Sequence, residues 1–220
     1  MMFRLSEVLN PSAIEEITSS LDKAPWQDGK ITAGWQVRDA KNNEQVPTEA
    51  PELGRPRDIV TDALMRHPAF MMAARPKFIM PALFSRYETG MTYGDHIDDP
   101  IMMGHRTDLS LTLFLTDPDD YDGGELIIET ASGTEAVKLA AGDAVLYPST
   151  SIHRVDPVQS GTRLVAVTWI RSFIRDAGAR EILLDLDMTR QALFRQYGPT
   201  RECDLLAKTV ANLTRCWGDD

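Results

Sequence analysis

Residues 107–116 have the sequence TDLSLTLFLT, in which leucine occupies every second position from Leu109 to Leu115. The positions between the leucines carry Ser110, Thr112 and Phe114. Successive side chains of a β-strand point to opposite faces, so this spacing predicts a strand with one aliphatic face and one mixed face.

Similar short stretches on both sides of this segment predict further strands. Each is bounded by Gly, Pro, Ser or Asp, and together they cover residues 77–87, 125–129, 136–139, 144–147, 152–155 and 163–170. Short strands that follow one another without an intervening helix are typical of an antiparallel sandwich or barrel. We also expect one short strand around residues 31–37, inside an otherwise polar loop region.

Helical patterns lie before and after this β region. Asn10-Pro11-Ser12 predicts the start of a helix that runs up to Pro25, and a second helix over residues 57–66 is closed by Pro68. Beyond residue 175, three helical stretches cover residues 179–186, 190–197 and 205–213.

The sequence therefore predicts a mainly β protein with flanking helices. We divide it into N-terminal helices and loops (residues 1–76), a β core (77–175) and a C-terminal helical extension (176–220). We expect the extension either to pack on the core or to form a contact between copies of the chain, which would make a homo-oligomer.

Composition excludes several classes of function. The 220 residues contain 23 Lys and Arg against 33 Asp and Glu, for a formal net charge of −10, which disfavours binding to nucleic acid or to an anionic membrane. Two cysteines without a metal-binding spacing are typical of a reducing compartment. Because the N-terminus also lacks a signal-peptide pattern, we expect a cytoplasmic protein.

Candidate metal ligands are His96 and Asp98, which form an HxD triplet, and the more distant His153. In an extended segment, residues two apart point the same way, so His96 and Asp98 could occupy neighbouring positions on one metal ion. Two histidines and one carboxylate on one side of a metal suit non-haem Fe(II), which needs open positions for substrate and oxygen. On its own the triplet is a weak signal, and His153 also fits a buried core position.

Arg163 strengthens the argument. It begins a predicted strand ten residues after His153 and shares a face with Val165, Val167 and Trp169, so it could project into the barrel. A buried guanidinium needs an anion, and its planar shape suits a carboxylate. A dicarboxylate that also reaches the metal would meet both requirements, although many arginines at strand ends are surface charges.

These residues resemble the Fe(II)/2-oxoglutarate dioxygenases of the prolyl-4-hydroxylase group, and more closely the bacterial PKHD-type hydroxylases associated with iron uptake. The resemblance rests on the run from Tyr87 to Asp98, the turn Asp122-Gly123-Gly124-Glu125-Leu126, residues 142–148 (GDAVLYP), His153-Arg154-Val155, and Arg163 with Trp169. It implies a double-stranded β-helix, or jelly roll of the cupin-like kind, with helices covering one sheet. On that fold the leucine face of residues 107–116 packs under the helices, and Ser110, Thr112 and Phe114 line the interior.

The resemblance also implies the cofactors. His96, Asp98 and His153 would bind one Fe(2+) per chain, Arg163 would pair with the distal carboxylate of the cosubstrate 2-oxoglutarate, and L-ascorbate would serve as reductant. Tyr87 resembles a tyrosine that hydrogen-bonds the cosubstrate in related prolyl hydroxylases. Where some relatives carry another tyrosine, this chain has Phe114, which leaves Ser110 or Thr112 as the second contact to the distal carboxylate.

The implied reaction is hydroxylation of an unactivated C–H bond by O2, with release of succinate and CO2 and no catalytic side chain beyond the iron ligands. The substrate would be peptidyl proline, as in a prolyl 4-hydroxylase acting on a protein, or a small molecule of the siderophore type. Two other classes stay open on the residues alone. A zinc hydrolase could use the same ligands but has no use for Arg163, and a metal-dependent cupin-like binding module would keep the barrel without catalysis.

Overall fold

The computed structural model describes residues 2–219, and within that range the chain forms five α-helices and seventeen strands. The helices are α1 (Pro11–Leu21), α2 (Gly54–Arg66), α3 (Pro68–Ala74), α4 (Ala177–Tyr197) and α5 (Arg201–Trp217). The strands are β1 (Phe3–Leu5), β2 (Gln27–Asp28), β3 (Lys41–Asn42), β4 (Glu44–Gln45), β5 (Pro76–Ile79), β6 (Leu83–Tyr87), β7 (Thr92–His96), β8 (Ile101–Met102), β9 (His105–Arg106), β10 (Leu109–Phe114), β11 (Tyr121–Gly123), β12 (Leu126–Thr130), β13 (Gly133–Val137), β14 (Ala144–Pro148), β15 (His153–Val155), β16 (Val158–Gly161) and β17 (Arg163–Ser172).

Two antiparallel sheets form the core. The larger has the order β1-β14-β10-β17-β6-β4-β2, with β5 also paired to β17, and the smaller has the order β13-β12-β15-β7-β3. Two short ribbons, β8 with β9 and β11 with β16, complete the β structure of the described residues. The mainly β jelly-roll core with flanking helices that the sequence predicts is confirmed.

The two faces of β10 separate two hydrophobic clusters. Its leucine side chains pack with Ile17 of α1, Leu64 of α2 and Phe70 of α3 on the outer face of the larger sheet. Phe114, on the opposite face, packs with the residues that lie between the two sheets. The alternation of residues 107–116 therefore places the helices on one side of this strand and the interior on the other, as predicted.

The helices differ from the predictions at their boundaries. The start of α1 is confirmed, because the Asn10 side chain accepts a hydrogen bond from the Ala13 amide at 2.8 Å. Pro68 does more than close α2, since it also begins α3. The two helices predicted over residues 179–186 and 190–197 are one helix, α4, and the interruption between them was a wrong prediction.

The predicted strand over residues 31–37 is also wrong. Asp28 accepts a hydrogen bond from the Lys30 amide and caps a 3-10 turn over Gly29–Thr32, and irregular turns follow it. The division of the chain near residues 77 and 176 stays a prediction, although the N-terminal part contributes β1 to the larger sheet and β3 to the smaller. In the described part of the chain, no helix combines the length and the apolar character that crossing a membrane requires.

Candidate metal and cosubstrate site

Strand pairing brings the three predicted metal ligands together. β7 and β15 are antiparallel neighbours in which His96 lies opposite His153, and Asp98 follows two residues after His96. One ligand atom from each of these three residues lies within 4.8 Å of the other two. His153 is 5% exposed and lies inside the protein, so the ligand atoms meet at the floor of a cavity and not on the surface.

The two histidine rings are oriented by backbone carbonyls. Nδ1 of His96 lies 2.8 Å from the Gly94 carbonyl oxygen, and Nδ1 of His153 lies 3.0 Å from that of Ser151. A carbonyl oxygen can only accept, so each Nδ1 donates, and in a neutral ring this leaves the lone pair of Nε2 free. Burial, with His153 adding to it, lowers the pKa of His96 to about 4, which keeps this imidazole neutral near pH 7. Neutral rings with free Nε2 atoms are metal ligands.

A serine orients the carboxylate. The Ser110 hydroxyl donates to Asp98 Oδ2 at 2.5 Å and lies 2.8 Å from the Ser149 hydroxyl. The predicted contact to the cosubstrate, Ser110 or Thr112, stays a prediction, although the Ser110 hydroxyl already contacts the carboxylate of the predicted ligand Asp98. The register of β10 places position 110 beside Asp98, while Thr112 lines the cavity further along the strand.

Arg163 is buried in the same cavity, as predicted. It is 1% exposed and lies opposite Tyr87 in the pairing of β17 with β6. Its guanidinium carbon lies 5.1 Å from the centre of the Tyr87 ring and 5.4 Å from that of Phe114. Nε has no hydrogen-bond partner, and among residues 2–219 no carboxylate oxygen lies within 4.0 Å of the guanidinium. A buried cation in this state needs an anion from outside the chain.

Two tyrosines near Arg163, Tyr147 and Tyr121, are not among the site residues that the sequence predicts. Tyr147 is 2% exposed, lines the cavity and shares the inward face of β14 with Val145. Burial, with Asp98 adding to it, raises the pKa of Tyr147 well above its usual value, while Thr112 and Arg163 oppose the change. The hydroxyl of Tyr121 is buried without a hydrogen-bond partner. The period of two in residues 144–148 could have indicated Tyr147, whereas nothing in the sequence indicates Tyr121.

The Gly123-Gly124 turn makes room for the arginine. Gly124 has a φ of +67°, which L side chains rarely adopt, and a Cβ atom there would lie 3.1 Å from Arg163 Cδ and 2.9 Å from Val158 Cγ2. The turn therefore packs against the aliphatic part of the Arg163 side chain. This close packing and the positive φ explain why position 124 of the motif is glycine.

The cavity has a volume of about 1220 Å³ and continues well beyond the metal ligands and Arg163. Five large apolar side chains that line it are exposed, by between 41% and 83%: Trp35, Ile97, Ile101, Met103 and Ile152. A pocket of this size exceeds what one small dicarboxylate fills, so it has room for a second ligand.

Residues 82–171 match the sequence model of the 2OG-Fe(II) oxygenase superfamily. Over its whole length the chain is 50% identical to a PKHD-type hydroxylase from Picosynechococcus sp. strain PCC 7002, and 46% identical to one from Maricaulis maris, with all of each relative covered. The chain belongs to the PKHD-type hydroxylases of this superfamily. It is therefore an oxidoreductase, and the zinc hydrolase and the binding module are no longer alternatives.

Solved structures agree on the fold. A prolyl-4-hydroxylase from Pseudomonas putida matches with a TM-score of 0.56 at 18% identity, over 78% of this chain and 92% of that one. A prolyl hydroxylase from Trichoplax adhaerens, solved with a peptide fragment of the hypoxia inducible factor oxygen degradation domain, matches with a TM-score of 0.58 at 14% identity, over 77% and 82%. The residues of the site fit the cofactors of the family, since two histidines and an aspartate suit iron and the unpaired Arg163 suits a carboxylate.

Proposed function

We propose that this chain is an Fe(II)- and 2-oxoglutarate-dependent dioxygenase that hydroxylates an unactivated C–H bond and releases succinate and CO2. The observation that supports the proposal most is that a cluster of metal ligands and a buried arginine line the same cavity. Ligand atoms of His96, Asp98 and His153 lie within 4.8 Å of one another, and the buried Arg163, without a counter-charge, lines the same space.

In this proposal His96, Asp98 and His153 hold one Fe(2+) per chain. Bound iron supplies the activation of O2, one oxygen atom of which enters the substrate C–H bond and the other the carboxylate of succinate. The chain's own contribution is orientation: the carbonyls of Gly94 and Ser151 fix the imidazoles, and Ser110 fixes the carboxylate. No side chain is needed as a general base.

Arg163 binds the distal carboxylate of 2-oxoglutarate in this proposal. To the predicted alternatives for the second contact, Ser110 and Thr112, we add Tyr147, because a protonated tyrosine beside Arg163 can donate a hydrogen bond to a carboxylate. Tyr87 packs its ring against Arg163 and keeps its proposed place beside the cosubstrate. Thr112 lines the cavity and is a further donor.

The substrate in this proposal is either a proline-containing peptide or a small molecule, including one of the siderophore type. The five exposed apolar side chains at the cavity support a substrate with an apolar part, since exposed apolar surface around a pocket marks binding regions. L-Ascorbate is the proposed reductant, and the proposed location is the cytoplasm, which the two free cysteines support. The exposed Phe194, Tyr197 and Leu205 on α4 and α5 support a contact between copies of the chain.

The test is coupled turnover. Purified protein is loaded with Fe(II) and given 2-oxoglutarate, O2 and a panel of proline-containing peptides and small hydroxylation substrates. We expect succinate formation above the substrate-free rate with at least one compound, together with a mass gain of one oxygen atom in that compound. Succinate formation that needs neither Fe(II) nor O2 would contradict the proposal.

A further inference from the structure

A buried lysine lies at the cavity, in a part of the chain that the superfamily model does not cover. Lys41 is 4% exposed and lies on β3, opposite Tyr93 of β7. Its ammonium lies 4.9 Å from the centre of the Tyr93 ring, and that ring stacks on His96 with the ring centres 3.7 Å apart. The Tyr93 ring therefore contacts both the Lys41 ammonium and a proposed iron ligand.

The partners of Lys41 are neutral. Its ammonium donates to Thr32 Oγ1 at 2.8 Å, and the same hydroxyl donates to Gln45 Oε1 at 2.6 Å. Gln45 in turn donates to the Ser85 hydroxyl at 3.0 Å. Among residues 2–219 no carboxylate oxygen lies within 4.0 Å of the Lys41 ammonium. The network holds the lysine in position and uses one of its three donors, without neutralising its charge.

Lys41 still carries its charge at neutral pH. Burial lowers its pKa to about 8, although the charges of Asp98 and Asp28 act to raise it. Burying an ammonium group without an ion pair is costly, so chains rarely place one in such a position without a ligand for it.

In the proposed function, every charged group considered so far has a ligand except Lys41. Asp98 serves the metal, and Arg163 serves the dicarboxylate cosubstrate, so both are accounted for in the proposed function. Lys41 adds a positive charge beyond these two pairs, and it lies beside space that a second ligand can enter. Electrostatic complementarity then favours an anionic group on that ligand.

We propose that Lys41 binds a carboxylate of the hydroxylation substrate and thereby positions the substrate at the metal. The inference rests on the proposed function and narrows its substrate class to compounds with a free carboxylate, whether an acidic peptide or a small acid. Lys41 acts as a binding and positioning residue, and the Thr32–Gln45–Ser85 network holds its ammonium in the direction of the cavity.

The first experiment needs no turnover. Protein loaded with Zn(II) and 2-oxoglutarate, labelled with ¹⁵N, is titrated with sodium acetate and, separately, with acetamide, the uncharged analogue of the same shape. We expect saturable shifts of signals around Thr32, Lys41 and Tyr93 with acetate only. In Lys41→Gln this response should weaken at least tenfold, and any acetate binding at the metal itself should remain.

The matched control is Lys77→Gln. The Lys77 ammonium also lies over an aromatic ring, 5.7 Å from the centre of Phe173, and donates one hydrogen bond to a carbonyl, but it does not line the cavity. Its loss should leave the acetate response unchanged. Equal responses to acetate and acetamide, or an unchanged acetate response in Lys41→Gln, would overturn the proposal.

The second experiment uses the Fe(II)-loaded enzyme and substrate pairs that differ only in carrying a carboxylic acid or its amide. We expect kcat/KM to favour the acid at least tenfold in the wild type, and this preference to vanish in Lys41→Gln. An acid preference that persists in the variant would contradict a role for Lys41 in substrate binding. If Lys41→Gln instead weakens 2-oxoglutarate binding as much as Arg163→Gln does, Lys41 holds the cosubstrate and the inference is wrong.

The two proposals can fail separately. If the wild type forms no complex with Fe(II) and 2-oxoglutarate, the proposed function fails. The acetate titration, repeated on the protein without metal or cosubstrate, still reports on Lys41 through the signals of Thr32, Lys41 and Tyr93. Lys41→Met tests for a purely structural role, because methionine is unbranched like lysine, has one side-chain atom fewer and carries no charge. We expect this variant to melt at or above the wild-type temperature. A melting temperature well below the wild type would indicate that Lys41 serves the fold and would overturn the inference.

Discussion

Two buried cations without a carboxylate partner, Arg163 and Lys41, line the cavity. The parts of the fold that carry them, here called the arginine end and the lysine end, are built differently. Arg163 begins β17, a strand of 10 residues at the centre of the larger sheet. Lys41 begins β3, a strand of 2 residues at the edge of the smaller sheet, and is held by a turn around Thr32. Both cations need an anion, but only Arg163 is fixed by long strand pairings.

In the proposed function, this structural difference parallels a difference in role, because Arg163 binds the cosubstrate and Lys41 binds the substrate. Arg163 and the proposed iron ligands lie inside the matched residues 82–171, and Lys41 lies outside them. Loops and edge strands tolerate sequence change better than central strands do, so they suit contacts that decide specificity. We therefore expect changes at the arginine end to affect cofactor binding and changes at the lysine end to affect substrate choice.

The largest expected effect is the loss of the metal. Asp98→Ala removes the carboxylate that Ser110 orients, and we expect the iron content to fall together with turnover, by about 100-fold or more. The iron content by emission spectroscopy and the rate of succinate formation measure both effects. Asp156→Ala is the control, because Asp156 pairs with Arg154 and does not line the cavity. Full iron content in Asp98→Ala would contradict its assignment as a ligand.

Arg163→Gln should weaken 2-oxoglutarate binding while leaving the metal in place. Removing one partner of a buried ion pair costs roughly 2–5 kcal/mol, which corresponds to about 300-fold in affinity at the middle of that range. An anaerobic titration of the Fe(II)-loaded protein with 2-oxoglutarate measures the dissociation constant. Arg154→Gln is the control, since Arg154 lies on β15 beside His153 but pairs with Asp95 and Asp156. Equal affinities in the two variants would place the cosubstrate elsewhere.

Gly124→Ala tests the turn against the stem of Arg163. A residue with a side chain is strained at a positive φ by roughly 1–3 kcal/mol, and here the new Cβ would also press on Arg163 and Val158. We expect about tenfold weaker 2-oxoglutarate binding and a lower melting temperature. Gly133→Ala shares the positive φ but meets no atom within 4 Å, so it should affect only stability. Loss of cosubstrate affinity in both variants would show that strain, not contact with Arg163, is responsible.

Lys41→Met should raise the stability of the free protein. The fall in the lysine pKa from 10.5 to about 8 corresponds to a cost of about 3 kcal/mol for burying the charge, part of which the hydrogen bond to Thr32 offsets. The folded pKa lies below the unfolded one, so this cost is complete below pH 8 and disappears as the pH rises toward 10.5. Denaturation of both proteins from pH 7 to 10.5 should therefore show the advantage of the variant shrinking. A stability difference between the two proteins that stays constant over this pH range would contradict the burial of a charged Lys41.

The sequence predicted the arginine end well for a physical reason. The period of two in a strand fixes which residues face inward, and His96, Asp98, His153 and Arg163 each lie in or beside a strand whose pattern is visible. Ser110 was correctly placed in the interior, but the atom it contacts depends on how β10 is aligned with the loop that carries Asp98. The local alternation of residues does not predict the register between strands that are far apart in the sequence.

The burial of Lys41 could not be predicted from the sequence. It lies in a polar stretch for which we predicted loops and a strand over residues 31–37 that does not form. A lysine between Ala40 and Asn42 has no apolar alternation around it, so nothing indicates burial. Its position depends on the pairing of β3 with β7 and on the Thr32 hydroxyl, both of which are tertiary contacts.

The most direct test of the central claim is anaerobic reconstitution with Fe(II), followed by 2-oxoglutarate, while the visible metal-to-ligand charge-transfer absorption is recorded. We expect a band in the wild type, its absence in His153→Ala, and its appearance only at much higher 2-oxoglutarate concentration in Arg163→Gln. A wild-type protein that holds stoichiometric Fe(II) and gives no band would contradict the account, as would a band of the same strength in His153→Ala.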